Sequence, residues 1–289
     1  MIHSQPATNA TRILAGLLEA RTGQQIAPSR YWRIQTALAP MLKAQGIPDL
    51  DALVAVLSDP DNEKLLQESL DAMLNNESFF FRDTAMFAAL RSEAFPALRE
   101  RRAQRKTLRI WCAGTSTGQE AYSVAMLFDS EREKWIDWKI EIVGTDISAS
   151  VISRAKLGRY SQFEIQRGLS VDYMLRYFTQ DGEDWVIDPR LQAMVTFKED
   201  NLLKPRGDLG RFDIILCRNV LMYFATETRH IAYSKLERSL ENDGMLMLGA
   251  AETVLGHTDL FSATRELRGL YCKAVTGKTG QSIFPAPLG

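Results

Sequence analysis

A chain of 289 residues, 45% hydrophobic and 25% charged, has ordinary globular composition and enough length to bury a core without disulfide or metal staples. Its formal net charge of −1 gives no overall field toward nucleic acid or anionic lipid, so a nucleic-acid partner is not expected and any electrostatic partner surface must be local.

In chain order, Ile13, Leu14, Leu17 and Leu18 recur at helical spacing and stop near Gly23. Pro28-Ser29 opens a second helix through Tyr31, Ile34 and Leu38, complicated by Pro40 and ending near Gly46. Asp49 and Asp51 precede a third, with Leu53, Val54 and Leu57, which stops at Asp59-Pro60. A fourth carries Leu65, Leu66, Leu70, Met73 and Leu74 on one face. With no strand-like alternation, residues 1–83 predict a small all-helical N-terminal domain. Residues 84–106, which end in the basic run Arg99, Arg101, Arg102, Arg105 and Lys106, read as a linker.

From residue 107 strand-like runs alternate with helical stretches: 108–113, 139–145, 195–198, 212–217 and 245–248. That alternation predicts an α/β domain over 107–275, a Rossmann-like open sheet with helices on both faces. Between 157 and 198 the chain exceeds what one crossover requires. A short strand at 184–188 and turn signals at Gly168 and Asp181-Gly182 suggest a small inserted subdomain, with a long ordered loop as the alternative. Residues 269–274 and the segment before them predict a terminal antiparallel hairpin. The Gly-, Pro- and Ser-rich stretch 276–289 reads as a flexible tail.

Cys112, Cys217 and Cys272 lie in apolar runs and read as buried reduced thiols. His3, His230 and His257 share no metal-ligand spacing with them, so no metal is expected. The opening segment lacks the apolar core of a signal peptide, and no run has the length of a membrane span. A cytoplasmic protein without membrane insertion is expected, with a monomer as the default.

The chemistry concentrates at strand ends. Residues 109–113 run into Gly114-Thr115-Ser116-Thr117-Gly118 and then a helix, the geometry by which open α/β sheets hold nucleotide cofactors. A dinucleotide G-x-G-x-x-G is missing, which disfavours a nicotinamide dehydrogenase. Glu120 is open to two readings: a cofactor ligand, or the third residue of a capping box begun by Thr117. Asp146, ending the second strand, either accepts from ribose hydroxyls or opens the next helix with Ser148. Asn201 and Asn219 follow the third and fourth strands and are crevice or turn residues. Residues 75–83, Asn75-Asn76-Glu77-Ser78-Phe79-Phe80-Phe81-Arg82-Asp83, either pack aromatics into a domain interface or close over a cofactor, with Arg82 offered to an acidic substrate.

Taken as a set, Asn76-x-Ser78-x-x-x-Arg82, Gly114-x-Ser116-Thr117-Gly118-x-Glu120-x-Tyr122-Ser123, Gly144-Thr145-Asp146-Ile147, Asn201-Leu202-Leu203 and Cys217-Arg218-Asn219-Val220-Leu221-Met222-Tyr223-Phe224 resemble the chemotaxis receptor methyltransferases, the CheR family. The likeness extends from about Arg12 to Ala274. It implies a helical N-terminal domain, a class I S-adenosylmethionine-dependent methyltransferase domain and an inserted antiparallel β-subdomain. It implies methyl transfer from S-adenosylmethionine to glutamate side chains on the cytoplasmic helices of methyl-accepting chemoreceptors, with S-adenosylhomocysteine as product. By that resemblance Asn76, Ser78, Arg82, Gly114, Glu120, Asp146, Asn201, Leu202, Asn219 and Val220 contact the cofactor, and Arg82 and Tyr223 lie nearest the transferred methyl.

Two departures stand out. The second helix offers only Arg30, Arg33 and Lys43, where receptor-docking members are strongly basic. The turn 179–184 is short, so no receptor C-terminal peptide tether is expected. Since a glutamate of pKa about 4.3 is already ionised at neutral pH, a general base is unnecessary. Arg82 should then orient the carboxylate while sharing its charge with other groups, because too tight a pair would favour the ground state. Rival readings are a methyltransferase for a small molecule or RNA, and a cofactor-binding regulatory module without turnover.

Overall fold

The computed structural model describes residues 8–205, 207, 209–264 and 269–274; the expected tail lies outside the described residues. The chain divides into two compact units, Met1–Asn75 with Tyr223–Thr228, and Asn76–Met222 with Arg229–Gly289.

The first unit is built on α1 (Asn9–Thr22), α2 (Trp32–Gln45), α3 (Leu50–Leu57) and α4 (Glu63–Met73). Thr8 caps α1 by accepting from the Thr11 amide, and Gly23, left-handed at φ 78°, closes it. Asp49 caps α3 through the Ala52 amide at 2.8 Å. The apolar stripes meet inside: Leu14, Leu18, Ile34, Leu38 and Leu53 are fully buried. Pro40 sits on the exposed side of α2, and the helix runs through it. The solvent face of α2 is largely neutral, with Trp32, Gln35, Thr36, Ala39 and Pro40 beside Lys43. The segment from Tyr223 joins this unit by pairing Phe224 with Gln24, and the Gln25 amide donates to the Tyr223 carbonyl at 2.8 Å.

In the second unit the expected linker is folded structure. Its 84–106 stretch holds α5 (Thr84–Ala89), a π turn (Leu90–Ala94) and α6 (Phe95–Arg101), and buries Met86, Phe87, Leu90, Phe95 and Leu98 in the main core. Then come β1 (Thr107–Ala113), α7 (Gln119–Ser130), β2 (Lys139–Asp146) and α8 (Ala149–Leu157). An insertion follows: β3 (Arg159–Ser161), α9 (Gln162–Gln166), α10 (Val171–Tyr177), β4 (Phe178–Asp181) and β5 (Asp184–Ile187). Then α11 (Pro189–Ala193), β6 (Val195–Glu199), β7 (Phe212–Cys217), α12 (Thr226–Ser239, which lies in this unit from Arg229 on), β8 (Leu240–Leu248), β9 (Phe261–Ala263) and β10 (Leu270–Lys273) complete the unit.

Among the described residues the main sheet has the order β6-β2-β1-β7-β8-β10-β9. Its first five strands are parallel, and β10 pairs antiparallel with both β8 and β9. Helices on both faces explain why β7 is buried at every position. The chain reverses direction across the sheet between β1 and β7, so the ligand crevice is expected at the carboxyl ends of those strands. The insertion is a separate antiparallel sheet, β3-β5-β4, as the family resemblance implies, where the strand and turn signals alone suggest an inserted subdomain. No helix among the described residues is long and apolar enough to cross a membrane.

The basic run has a structural use. Asp213, fully buried in β7, accepts from Arg102 Nε at 2.6 Å, from Arg105 Nη2 and from the Arg109 amide at 2.8 Å. Arg102 also forks onto Asp243 at 2.6 and 2.5 Å. Breaking a buried pair costs far more than an exposed one, because the remaining charge stays desolvated. Arg102→Met is expected to lower unfolding stability in urea by about 3 kcal/mol; a wild-type midpoint would show that Arg105 suffices. The Arg102 hydrogen bonds hold the Asp243 carboxyl below the usual carboxylate range. Such a group stabilises the fold above its unfolded pKa of about 3.9 and loses that contribution as pH falls through the lower folded value. Asp243 is 45% exposed, so the effect is screened and small, and Asp243→Asn should flatten only the acid end of the stability curve.

Candidate functional site

β1 leads into a turn with three left-handed residues in five, Gly114 (φ 76°), Ser116 (φ 52°) and Gly118 (φ 93°). The amides of Gly114 and Thr115 both donate to the Thr145 carbonyl, at 2.8 and 2.9 Å. The Ser116 amide donates to Asp146 Oδ2 at 2.9 Å, and the Ser148 amide to Asp146 Oδ1 at 3.1 Å. Asp146 therefore pins the turn and opens α8 with the same carboxylate. Ser116 Oγ donates to the Asn76 carbonyl at 2.7 Å, and the Tyr160 hydroxyl to the Thr117 carbonyl at 2.8 Å. Gly114 lies against Val220: a Cβ there would stand 2.3 Å from Val220 Cγ2.

The Thr117–Glu120 capping box does not form. The αL conformation of Gly118 makes it the N-cap of α7, so Glu120 falls at the second helical position, one short of the third. Thr117 Oγ1 turns to Gln119 Oε1 at 2.8 Å instead. Glu120 Oε2 accepts from Arg218 Nη1 at 2.8 Å. Burial pushes the Glu120 carboxyl above its usual range, and Arg218 opposes that rise.

Arg218, 2% exposed, also donates from Nη2 to the Arg82 carbonyl at 2.6 Å and to Asp83 Oδ2 at 2.7 Å. Its guanidinium lies over the Phe87 ring, 5.3 Å from the centroid. Arg82 is thus held by its backbone, between the left-handed residues Phe81 (φ 50°) and Asp83 (φ 61°). The aromatic run anchors the same segment. Phe80 packs edge-on against Tyr160 and Phe178, Phe81 packs edge-on against Phe87 and at a tilt against Tyr173, and the Phe81 amide donates to Ser123 Oγ at 3.0 Å. Gly168 permits this, since a Cβ there would sit 1.9 Å from the Phe80 carbonyl oxygen. Phe79 is flanked by Arg82 at 5.5 Å and Arg167 at 4.4 Å. Arg82 Nη1 donates to the Glu77 carbonyl at 3.0 Å. Ser78 is half-buried on this segment.

At the end of β6 the Asp200 amide donates to the Asp146 carbonyl at 2.9 Å, which brings Asn201 and the buried Leu202 alongside the end of β2. Lys235 holds that corner, donating to both Asp200 oxygens and to the Asn201 carbonyl at 2.7 to 2.9 Å. After β7, Asn219 is left-handed at φ 60°, and its amide donates to Glu252 at 2.6 Å. Thus Asn76, Arg82, Gly114, Glu120, Asp146, Asn201, Leu202, Asn219 and Val220 line one edge of the second unit. Tyr223 belongs to the first unit, where its hydroxyl accepts from the Asn75 amide group. Arg218 and Glu252 were missed as site residues. Arg218 stands within the run that follows β7, beside the residues singled out; Glu252 is a lone acid after β8, and no spacing marks it. Among the described residues no group of three or more His, Cys, Asp or Glu could hold a metal ion.

The family model described as CheR methyltransferase, SAM binding domain, matches residues 76–269. Chemotaxis protein methyltransferase Cher2 of Pseudomonas putida is 34% identical over 262 residues, covering 89% of this chain and 94% of its own. A chemotaxis protein methyltransferase of Vibrio parahaemolyticus is 32% identical, covering 91% and 95%. Chemotaxis protein methyltransferase 1 of Pseudomonas aeruginosa is 33% identical, covering 89% and 94%.

Gly114→Ala should test the close approach in the turn. The new Cβ meets Val220 and the residue keeps an unfavourable positive φ, so a stability loss of about 2 kcal/mol is expected in chemical unfolding. Adding Val220→Ala should recover the steric part and leave the backbone part. Equal losses in the single and double variants would show that the contact is slack.

Proposed function

This chain belongs to the CheR methyltransferase family, and from that premise we propose that it transfers the methyl group of S-adenosylmethionine to glutamate side-chain carboxylates of chemoreceptors, without a receptor peptide tether. The donor set fits the cofactor: a glycine turn after β1, and carboxylates on α7 and at the end of β2 suited to accept from ribose hydroxyls. The observation that carries the reading is the Arg82 segment, pinned beside Glu120 by Arg218.

The cofactor supplies an electrophilic methyl on a cationic sulfur. The acceptor glutamate is ionised at neutral pH, so the protein's task is to hold and dehydrate it rather than to remove a proton. Arg82 orients the carboxylate. Its charge is shared with the Glu77 carbonyl and the Phe79 ring, which keeps the ground-state pair from becoming too strong. Glu120 and Asp146 fix the cofactor's sugar. Esterification removes a negative charge from a receptor helix and shifts its packing equilibrium.

Tether independence is supported by the insertion. Only Gly182 and Glu183 link β4 to β5, and both acids flanking that turn, Asp181 and Asp184, are engaged by Arg159. The hairpin tip offers no extended loop to receive a peptide.

Methyl-labelled S-adenosylmethionine with receptor cytoplasmic fragments should yield alkali-labile label released as methanol, equally for fragments with and without their C-terminal peptide. Arg82→Ala should cut turnover about 100-fold while changing S-adenosylhomocysteine affinity much less. Alkali-stable label would overturn the carboxylate acceptor, and label dependent on the C-terminal peptide would overturn tether independence.

Glu120 brings a pH dependence. The ionised carboxylate is the stronger acceptor for the ribose hydroxyls, so S-adenosylhomocysteine affinity should fall as pH drops through the raised Glu120 pKa, and Glu120→Gln should abolish that slope. In the free protein the sign is opposite for stability: the raised carboxyl favours the fold when protonated, and that contribution is lost as pH rises through the folded pKa. Parallel affinity profiles for wild type and Glu120→Gln would remove Glu120 from the site.

A further inference from the structure

After β8 the chain turns at Gly249, and the Glu252 side chain comes back beneath the loop that follows β7. Its Oε2 accepts from the amides of Asn219 at 2.6 Å and Gly249 at 2.9 Å. Its Oε1 accepts from the amides of Val220 at 3.0 Å and Met222 at 3.1 Å. Three amides of one short loop converging on a single anion form a nest of the kind that binds external anions; here the chain supplies the anion itself. The loop needs it. Asn219 is left-handed at φ 60°, and each buried amide left without an acceptor costs about 1–3 kcal/mol.

Neighbouring residues are cut to this carboxylate. A Cβ at Gly249 would stand 2.8 Å from Glu252 Oε2 and 2.9 Å from Asn219 Nδ2, so glycine is what lets the two side chains meet there. On the other side of the loop, Val220 presses on Gly114 closely enough that no Cβ fits between them. The position of Glu252 is thereby transmitted to Asn219 and Val220, and through Val220 to the glycine turn.

On the reading of Asn219 and Val220 as cofactor contacts, we infer that Glu252 is a positioning residue for S-adenosylmethionine: it touches no reacting atom and sets the backbone from which those two contacts are made. A glutamine is nearly the same shape, but its amide group would present N–H to N–H on one side. Glu252→Gln should therefore remain folded by circular dichroism, bind S-adenosylhomocysteine at least about tenfold more weakly in calorimetry, and raise KM for S-adenosylmethionine by more than it lowers kcat. Added formate should restore part of the affinity of Glu252→Ala, since a small carboxylate can re-enter the nest, and should leave wild type unaffected. Asn219→Gly, which keeps the left-handed backbone and removes the contact, is measured alongside. A folded Glu252→Gln with wild-type affinity, while Asn219→Gly is weakened, overturns this inference alone. Wild-type affinity in both overturns the contact reading as well. If Glu252→Gln does not fold, hydrogen exchange on the wild-type protein decides: amides 219, 220, 222 and 249 should be protected, and exchange at the rate of open loop would overturn the inference.

Discussion

The Arg218 guanidinium joins α7, the Arg82 segment and the end of β7 through three hydrogen bonds, in a place from which water is nearly excluded. Removing an ion from water costs several kcal/mol, so a cation here is tolerable only with close partners. It has two carboxylates, Glu120 and Asp83, together with a carbonyl and an aromatic face. One positive and two negative charges leave the cluster with an excess of one negative charge. That excess suits a cationic sulfonium. On the proposed reading, Arg82 on the adjoining segment supplies the opposite sign for a carboxylate acceptor. With a cationic donor and the proposed anionic acceptor, a site serving both must keep both signs close without letting them neutralise each other. Arg218 does this by taking Glu120 and Asp83 for itself and gripping Arg82 only by its backbone carbonyl, so that the Arg82 guanidinium is not spent on Asp83.

Much of the architecture was legible because periodicity is a direct record of burial. The stripe of Leu14 and Leu18 and the run 212–217, apolar except for Asp213, mark one helix and one strand with no tertiary knowledge. The strand-end residues could be read for a similar reason: in an open parallel sheet the ligand edge follows from topology, so Gly114, Asp146, Asn201 and Asn219 are candidates by position alone. What was not legible depends on partners distant in sequence. The basic run ending at Lys106 looks like a solvated linker until Asp213, 111 residues beyond Arg102, needs neutralising inside the sheet. Thr117 and Glu120 have the spacing of a capping box, and only the left-handed Gly118 shifts the helix start and frees Glu120 for Arg218. Glu252 has no local signature because three of the four amides it serves lie about thirty residues earlier, and a backbone amide leaves no mark in the sequence.

Backbone strain ties these observations together. Among the described residues six non-glycine residues have positive φ, and four of them, Phe81, Asp83, Ser116 and Asn219, lie at this site. Each such conformation costs on the order of 1–3 kcal/mol and persists only where its surroundings hold it. The restraint is the same in kind at every position: a side chain from another part of the fold. The Phe81 amide donates to Ser123, the Ser116 amide to Asp146 and the Asn219 amide to Glu252, while the Asp83 carboxylate accepts from Arg218. Ordinary strand and helix dihedrals would carry the chain straight past the sheet edge, so left-handed residues are what turn it back to form walls. The restraining side chains are therefore as much a part of the site as the residues proposed to face the cofactor, and a substitution at Ser123 or Glu252 should be felt at Arg82 or Val220 before it is felt in the core.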